Sequence, residues 1–444
     1  MVSPKSTSAP TTADILAAVK DWFEHRSQAP FIPGQSYVPV TGKVLDAEDA
    51  MALVEASLDL WLTSGRFTEA FEHELTKVIG CRKSLMTNSG SSANLVAISA
   101  LTSPKLGSER LRAGDEVITA AAGFPATMAP IIQNGGVPVF VDVTLETLSP
   151  SIDALEQAIG PRTRAIVLAH TLGVPFPAHA VRELCDRRGL FLVEDACDAL
   201  GGTESGRNVG TFGHFATASF YPAHHITTGE GGAVFCNDAR LVRAAESFRD
   251  WGRDCWCAPG KDNTCGKRFG WKLGSLPEGY DHKYVYTHLG YNLKATDLQA
   301  ALGRTQLSKL PKFTARRREN FAYLRSAALA AKLDEFFLLP EAPAESDPSW
   351  FGFPLIVREG APLSRNDIVR KLEDAKIGTR PLFAGNMVRQ PMLEGREYRV
   401  IGDLRHADRL MRDCFWVGVW PGLGRPQLDY IVDTLNAIVR KGQS

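Results

Sequence analysis

Seven short apolar runs, each closed by turn residues and separated by stretches of helical spacing, constrain the fold of this chain more than any other feature. They are SLMT (84–87), EVITA (116–120), PVFVDV (138–143), AIVLAH (165–170), LFLVEDA (190–196), ATASF (216–220) and GGAVFC (231–236). Runs this apolar are buried on both faces, and their alternation with helices predicts a large, mostly parallel α/β sheet covered on both sides. Upstream, residues 1–12 read as a polar tail and 13–26 as a helix. Helical spacing then recurs over 45–80, as in Met51, Leu53, Val54, Ala56, Leu58 and Leu60. Downstream, a long helical stretch (294–331) leads to the Pro-rich LLPEAPAESDPSW (338–350), which marks a domain edge. The remainder, with a strand at FGFPLIV and helices near 364–375 and 425–441, reads as a compact α+β cap. A length of 444 residues suits one large domain plus this smaller one.

Fifty basic and fifty acidic residues cancel, so there is no electrostatic footprint for nucleic acid or an anionic membrane. No apolar run is long enough to span a bilayer, and the amino terminus lacks the apolar core of a signal peptide. The expectation is a cytoplasmic protein whose eight cysteines are not structural disulfides.

Open α/β sheets bind ligands at the carboxyl ends of their strands. Three such ends stand out. TNSGSSAN (87–94) leaves a strand and enters a helix, where free amides and the helix dipole favour an anion. A plain N-cap is the competing reading. In VEDACDA (193–199), Asp195 directly follows a strand, which places its carboxylate to pair with a ring nitrogen of a cofactor or merely to cap the next turn. SFYPAHHITTGEGGAVF (219–235) sets two adjacent histidines before a Gly-rich turn.

In this order the three segments resemble the DegT/DnrJ/EryC/StrS sugar aminotransferases, and the resemblance runs from about residue 35 to 440. It implies the type I aspartate-aminotransferase fold, with a large cofactor-binding domain over 31–310, a small carboxyl-terminal domain over 311–444 and an amino-terminal tail and helix over 1–30. It also implies a cofactor phosphate held by Gly90, Ser91 and Ser219, a pyridine nitrogen paired with Asp195 and a ring stacked on Phe124. Asn292, in LGYNLKATDLQAALG (289–303), matches an asparagine that reaches the phosphate of the neighbouring subunit, which implies a homodimer.

The family's cofactor-linking lysine is replaced here by His224. Imidazole forms no stable Schiff base, but its ordinary pKa near 6.5 suits a general base. The resemblance therefore narrows to the sugar 3-dehydrases, which use pyridoxamine 5'-phosphate without a covalent link. These enzymes remove the C3 hydroxyl of a nucleotide-linked 4-keto-6-deoxyhexose of the CDP-4-keto-6-deoxyglucose or dTDP-4-keto-2,6-dideoxyglucose type. Asp198 and Tyr221 stand where the aminotransferases carry His-type residues, and both are read as lining the reaction site.

Cys197, Cys255, Cys257 and Cys265 give C-x57-C-x-C-x7-C, which resembles the [2Fe–2S] ligand pattern of that branch. Tetrahedral zinc is the rival. Cys81, Cys185, Cys236 and Cys414 lack such spacing and read as packing residues. The resemblance further implies electrons from an iron–sulfur flavoprotein reductase or a ferredoxin-type donor. Such a donor is expected to dock on the loop 246–284 through Lys267, Arg268 and Lys272. In GTRPLFAGNMVRQP (378–391), Phe383, Asn386 and Arg389 are candidates for contact with sugar or nucleotide. Three alternatives remain at this point: an iron-free dehydratase sharing the histidine, disfavoured by the four-cysteine pattern, an ordinary pyridoxal-phosphate-dependent sugar aminotransferase, disfavoured by His224, and a non-catalytic, zinc-stabilised sugar-binding relative.

Overall fold

A computed structural model describes residues 9–26 and 29–442, so the expected tail lies, up to residue 8, outside the described residues. The first helix, Thr12–Glu24, starts at a capping box between Thr11 and Asp14. The helical spacing over 45–80 resolves into two helices, Ala47–Leu58 and Arg66–Ile79. The break has a distant cause. Asp297 accepts hydrogen bonds from the backbone N–H groups of Gly65 (2.8 Å), Phe67 (3.1 Å) and Thr68 (2.8 Å), capping the second helix from more than two hundred residues away.

All seven predicted strands are present in one eight-stranded sheet. Its order is Lys83–Thr87, Gly232–Cys236, Phe215–Ser219, Phe191–Asp195, Thr163–Ala169, Glu116–Ala120, Val137–Val141 and, at the edge, Arg399–Ile401. Gly232–Cys236 runs antiparallel to both neighbours, and every other pairing is parallel. Four of the central strands are buried at every position, which accounts for their apolar composition. The Arg399–Ile401 edge strand is half exposed and carries no apolar run to betray it.

A second, antiparallel sheet has Gly352–Val357 and Cys414–Gly418 at its centre. It packs against the helices Arg365–Asp374 and Arg425–Lys441 through Leu355, Phe415, Leu372 and Leu435. The 34-residue helix Asp297–Ala330 runs unbroken through position 310. Leu307 and Leu310 join the core beside the large sheet, whereas Phe321 and Leu324 join that of the small one. At 1.5 Å per residue the helix is a strut of about 50 Å shared by both layers. Among the described residues no helix is long and apolar enough to cross a membrane.

His214, between the central strands, accepts a hydrogen bond at Nδ1 from the Leu192 N–H (3.0 Å). Burial, with help from Arg182, depresses its pKa to about 4. The unfolded chain takes up this proton below pH 6.5, and the folded chain does so only near 4. Stability is therefore fully present above 6.5 and falls on acidification toward 4, by on the order of 3 kcal/mol. His214→Asn keeps an acceptor without the titrating ring. Urea unfolding at pH 7 and 4.5 is expected to show the variant losing less stability than the parent; equal losses would rule this group out.

Candidate active site

Parallel strands end together along one edge of the sheet, and there the backbone turns into helices. Asp195, the last residue of Phe191–Asp195, is buried. Its Oδ2 accepts from Asn94 Nδ2 (2.8 Å) and Thr127 Oγ1 (2.6 Å), and its Oδ1 from the Cys197 N–H (3.1 Å). Asn94 is held in turn by Thr217 Oγ1, which donates to its Oδ1 at 2.7 Å. Two helices and a neighbouring strand thus fix this carboxylate with neutral donors only.

The turn before the helix Gly90–Leu101 makes the adjoining corner. Ser89 caps the helix by accepting from the Ser92 N–H (3.1 Å), and Ser91 is exposed. A Cβ on Gly90 would lie 2.6 Å from Ser219 Cβ and 3.0 Å from Cys197 Sγ, so only glycine lets this backbone approach so closely. Gly90→Ala is expected to cost about 1–3 kcal/mol by overpacking and to weaken pyridoxamine phosphate binding. Thermal unfolding and a fluorescence titration check this, and unchanged values of both would show that the cradle has slack. Phe124 caps the helix Pro125–Gln133 and is half exposed, with its ring edge-on to Phe383 at 5.8 Å.

The two adjacent histidines part company. His225 is buried with Nε2 2.7 Å from the Ser349 carbonyl, a structural bond. Nδ1 is buried with no hydrogen-bond partner in both, but that of His224 lies 3.6 Å from Asp198 Oδ1, and the His224 ring lies 5.1 Å from that of Phe351. Burial depresses the His224 pKa to about 4, against the opposing pull of Asp195 and with help from Arg317. Burial, reinforced by Asp195, raises Asp198 to about 8. His224 is thus a neutral proton acceptor at pH 7. Tyr221 follows Ser219 into the same turn, its N–H donating to Ser219 Oγ (3.3 Å) and its side chain half exposed.

Sequence reasoning missed Arg317. It is fully buried and donates to the carbonyls of His224 (3.1 Å), Trp350 (3.1 Å) and Phe351 (3.5 Å). It sits between Arg316 and Arg318, both half-buried, in a run that reads as a solvated helix face.

The remaining candidates are more dispersed. Asn292 is exposed and accepts from Lys294 Nζ (2.9 Å). The adjacent Leu293 carbonyl accepts from the Asn88 N–H (2.9 Å), so this segment flanks the glycine turn. Asn386 is buried and committed to Asp408 (2.7 Å), which also binds Arg389 (2.8 Å). Phe383 has a left-handed backbone (φ 46°) and contacts Phe124, Phe351 and Trp416.

Cys255, Cys257 and Cys265 line one small pocket with Asp262, Asn263, Arg268, His282 and Lys283. Backbone N–H groups of Thr264 and Lys267 donate to the sulfurs of Cys257 and Cys265, both at 3.4 Å. Cys197 is elsewhere, in the Gly90 corner. Among the described residues no three histidine, cysteine or acidic side chains already form a metal site. Three thiols and their amide donors suit an iron–sulfur cluster; a cluster on all four needs the loop to close toward Cys197. Of the basic docking residues, Arg268 is engaged with Asp281 (2.7 Å) and Lys272 with the Leu276 carbonyl (2.6 Å), which leaves Lys267, 5.8 Å from the Trp271 ring centre.

A fixed acid at a strand end, a glycine-floored helix start and an imidazole whose Nδ1 has no hydrogen-bond partner together suit a pyridoxal-type cofactor. They define a protein of the vitamin-B6 aminotransferase fold. The chain belongs to the DegT/DnrJ/EryC1/StrS aminotransferase family, which it matches over residues 44–436. The lipopolysaccharide biosynthesis protein RfbH of Salmonella typhimurium is 56% identical over 409 residues, covering 92% of this chain and 93% of that one. The dTDP-4-dehydro-2,6-dideoxy-D-glucose 3-dehydratase of Saccharopolyspora spinosa is 51% identical over 427 residues, with 96% and 92% covered. A solved structure of E. coli GDP-4-keto-6-deoxy-D-mannose-3-dehydratase with bound hydrated PLP aligns with a TM-score of 0.80 at 27% identity, covering 90% of this chain and 99% of that one. The fold is the type I aspartate-aminotransferase fold, as the family resemblance implies.

Proposed function

We propose that this chain is a cytoplasmic, homodimeric 3-dehydratase of an NDP-4-keto-6-deoxyhexose, which removes the C3 hydroxyl with pyridoxamine 5'-phosphate and a [2Fe–2S] cluster reduced by a partner flavoprotein or ferredoxin-type donor. The observation that carries the reading is His224, a partly buried imidazole whose Nδ1 is buried without a hydrogen-bond partner, where the family's aminotransferases hold a lysine. The names of the relatives at 51% and 27% identity support the same reaction class.

Pyridoxamine phosphate, when bound, would supply an amine to condense with the substrate ketone and a conjugated system to relay the electrons of its C4′–H bond toward the departing hydroxyl. Asp195, held by Asn94 and Thr127, keeps the ring nitrogen protonated. The free amides at the start of Gly90–Leu101, with Ser91 and Ser219, bind the phosphate, and Asn292 of a second copy completes that site. Phe124 covers one face of the ring and excludes water. His224 accepts the proton from the cofactor's C4′, with the Asp198 carboxyl group 3.6 Å from its Nδ1. Tyr221 and Asp198 surround the site with a phenol and a carboxyl group, which favours departure of the hydroxyl over transfer of the amine. Cys197, Cys255, Cys257 and Cys265 hold the cluster, a one-electron centre that suits stepwise delivery of the two electrons the product requires.

The test is anaerobic incubation with CDP- and dTDP-linked 4-keto-6-deoxyhexoses, with and without the C2 hydroxyl, in the presence of pyridoxamine phosphate and a reductase. The expected product is the 3-deoxy sugar. A 4-amino sugar made from glutamate, with no 3-deoxy product, would assign the chain to the aminotransferases instead.

A further inference from the structure

We propose that Arg317 is a positioning residue for proton transfer, which fixes the His224 imidazole by clamping both its backbone and the aromatic wall beside it; this rests on the role given to His224 in the function proposed above. The need for a clamp follows from the ring itself. His224 Nδ1 has no hydrogen-bond partner, and Asp198 Oδ1 is 3.6 Å away. With no bond at Nδ1 to orient it, the ring takes its place from the backbone that carries it and from Phe351, whose ring centre lies 5.1 Å away.

One guanidinium holds both. Arg317 Nη2 donates to the His224 carbonyl (3.1 Å), and Nη1 donates to the carbonyls of Trp350 (3.1 Å) and Phe351 (3.5 Å). The group is planar and rigid, so these backbone positions keep one mutual geometry. Arg317 is itself anchored. It lies on the helix Asp297–Ala330, and one turn further along that helix Phe321 stacks on Trp350, with ring centres 3.5 Å apart and planes 6° from parallel. One helix face therefore holds residue 350 twice.

From Phe351 the contacts lead back to the site. Its N–H donates to the Leu172 carbonyl (2.9 Å), and the Leu172 N–H donates to Asp198 Oδ2 (3.3 Å). Leu172 is buried with a left-handed backbone (φ 54°), a conformation that leucine keeps only where its surroundings impose it. Arg317, Phe351, Leu172, Asp198 and His224 thus close a ring of contacts around the base.

Stability alone is a weak reason for this residue. Arg317 is buried, its Nε has no partner, and among the described residues no carboxylate bonds to it. Taking a guanidinium out of water without a paired anion is costly, and apolar side chains fill such helix contacts at less cost. What the charge adds is strong bonds to three carbonyls, one of them that of the base.

The experiment uses full-length Arg317→Lys, which keeps the charge without the two-sided fork, and Arg317→Met, each alone and combined with His224→Lys. The readouts are thermal unfolding, pyridoxamine phosphate affinity, C4′ hydrogen exchange and, in the His224→Lys background, the yield of pyridoxal phosphate trapped by borohydride, weighed by mass spectrometry. Both single variants are expected to bind pyridoxamine phosphate as the parent does. Exchange should slow by about 10–100-fold, the loss that a displacement of about 1 Å brings to a reacting group, with Arg317→Lys the milder. Trapping should fall in the same order, because the amine at position 224 no longer meets the cofactor. Should Arg317→Met not fold, Arg317→Lys decides. Exchange and trapping equal to the parent's in a folded variant, even one that melts earlier, would reduce Arg317 to a structural residue and overturn the proposal. Exchange missing from the parent itself would instead overturn the role of His224 in the proposed function, while the trapping series would still report whether Arg317 places residue 224.

Discussion

Replacing His224 by Asn is expected to slow exchange of the C4′ hydrogen of bound pyridoxamine phosphate by roughly 10²–10⁴, the usual cost of losing a general base. Binding itself should survive, because the phosphate corner at Gly90 and Ser219 and the carboxylate of Asp195 do not depend on the imidazole. The effect is large because nothing nearby replaces the ring. His225 is tied to the Ser349 carbonyl, and Asp198 is raised to about 8 by burial and Asp195, so it is mostly protonated at neutral pH. The backbone should hold its place, since Arg317 grips the residue by its carbonyl and not by its side chain. His224→Lys is the complementary change. It places a primary amine in the same pocket and is expected to let pyridoxal phosphate be trapped by borohydride as a covalent adduct. A rate of C4′ exchange in His224→Asn equal to the parent's would remove this residue from proton transfer.

How much of this could be read from the chain alone depended on whether the signal was local. The strands at 84–87, 116–120 and 191–195 were legible because burial on both faces leaves a continuous apolar run, and Asp195 because it closes one of them. The tight turn at Gly90 was legible because close backbone approach demands glycine and small residues. Contacts made across the fold left no such trace. The cap that separates Ala47–Leu58 from Arg66–Ile79 comes from Asp297, and nothing around residue 65 announces it. Arg317 is hidden within a basic run, and only burial distinguishes it from Arg316 and Arg318. The edge strand Arg399–Ile401 is half exposed and lacks the pattern that marks its neighbours. Spacing grouped four cysteines, whereas the fold gathers three and leaves Cys197 beside Gly90, because spacing reports order along the chain and not distance across a cleft.

Serine in place of any one of Cys255, Cys257 or Cys265 is expected to abolish stoichiometric iron and acid-labile sulfide in protein purified without oxygen. A hydroxyl is a far poorer ligand for iron in such a cluster than a thiolate, and the loop offers no spare sulfur. The three thiols already share a pocket, and amide N–H groups point at two of them, so removing one leaves an incomplete ligand set. Cys197→Ser is expected to lose the cluster too, and it separates two effects. Loss of iron with unchanged pyridoxamine phosphate affinity means that the loop closes on Cys197, whereas weakened cofactor binding with iron retained means that this thiol serves only the Gly90 corner. The other cysteines provide the control. Burial raises Cys185 and Cys414 to about 12, so these thiols stay protonated and packed, and serine there should leave the iron content unchanged. Cys236 is equally buried, and Cys81 packs against the hydrophobic core and shares a hydrogen bond with the Ser84 hydroxyl (3.3 Å). Stoichiometric zinc without labile sulfide in the parent protein would replace the redox centre by a structural one. It would also leave the 3-deoxy product without a source of electrons within this chain.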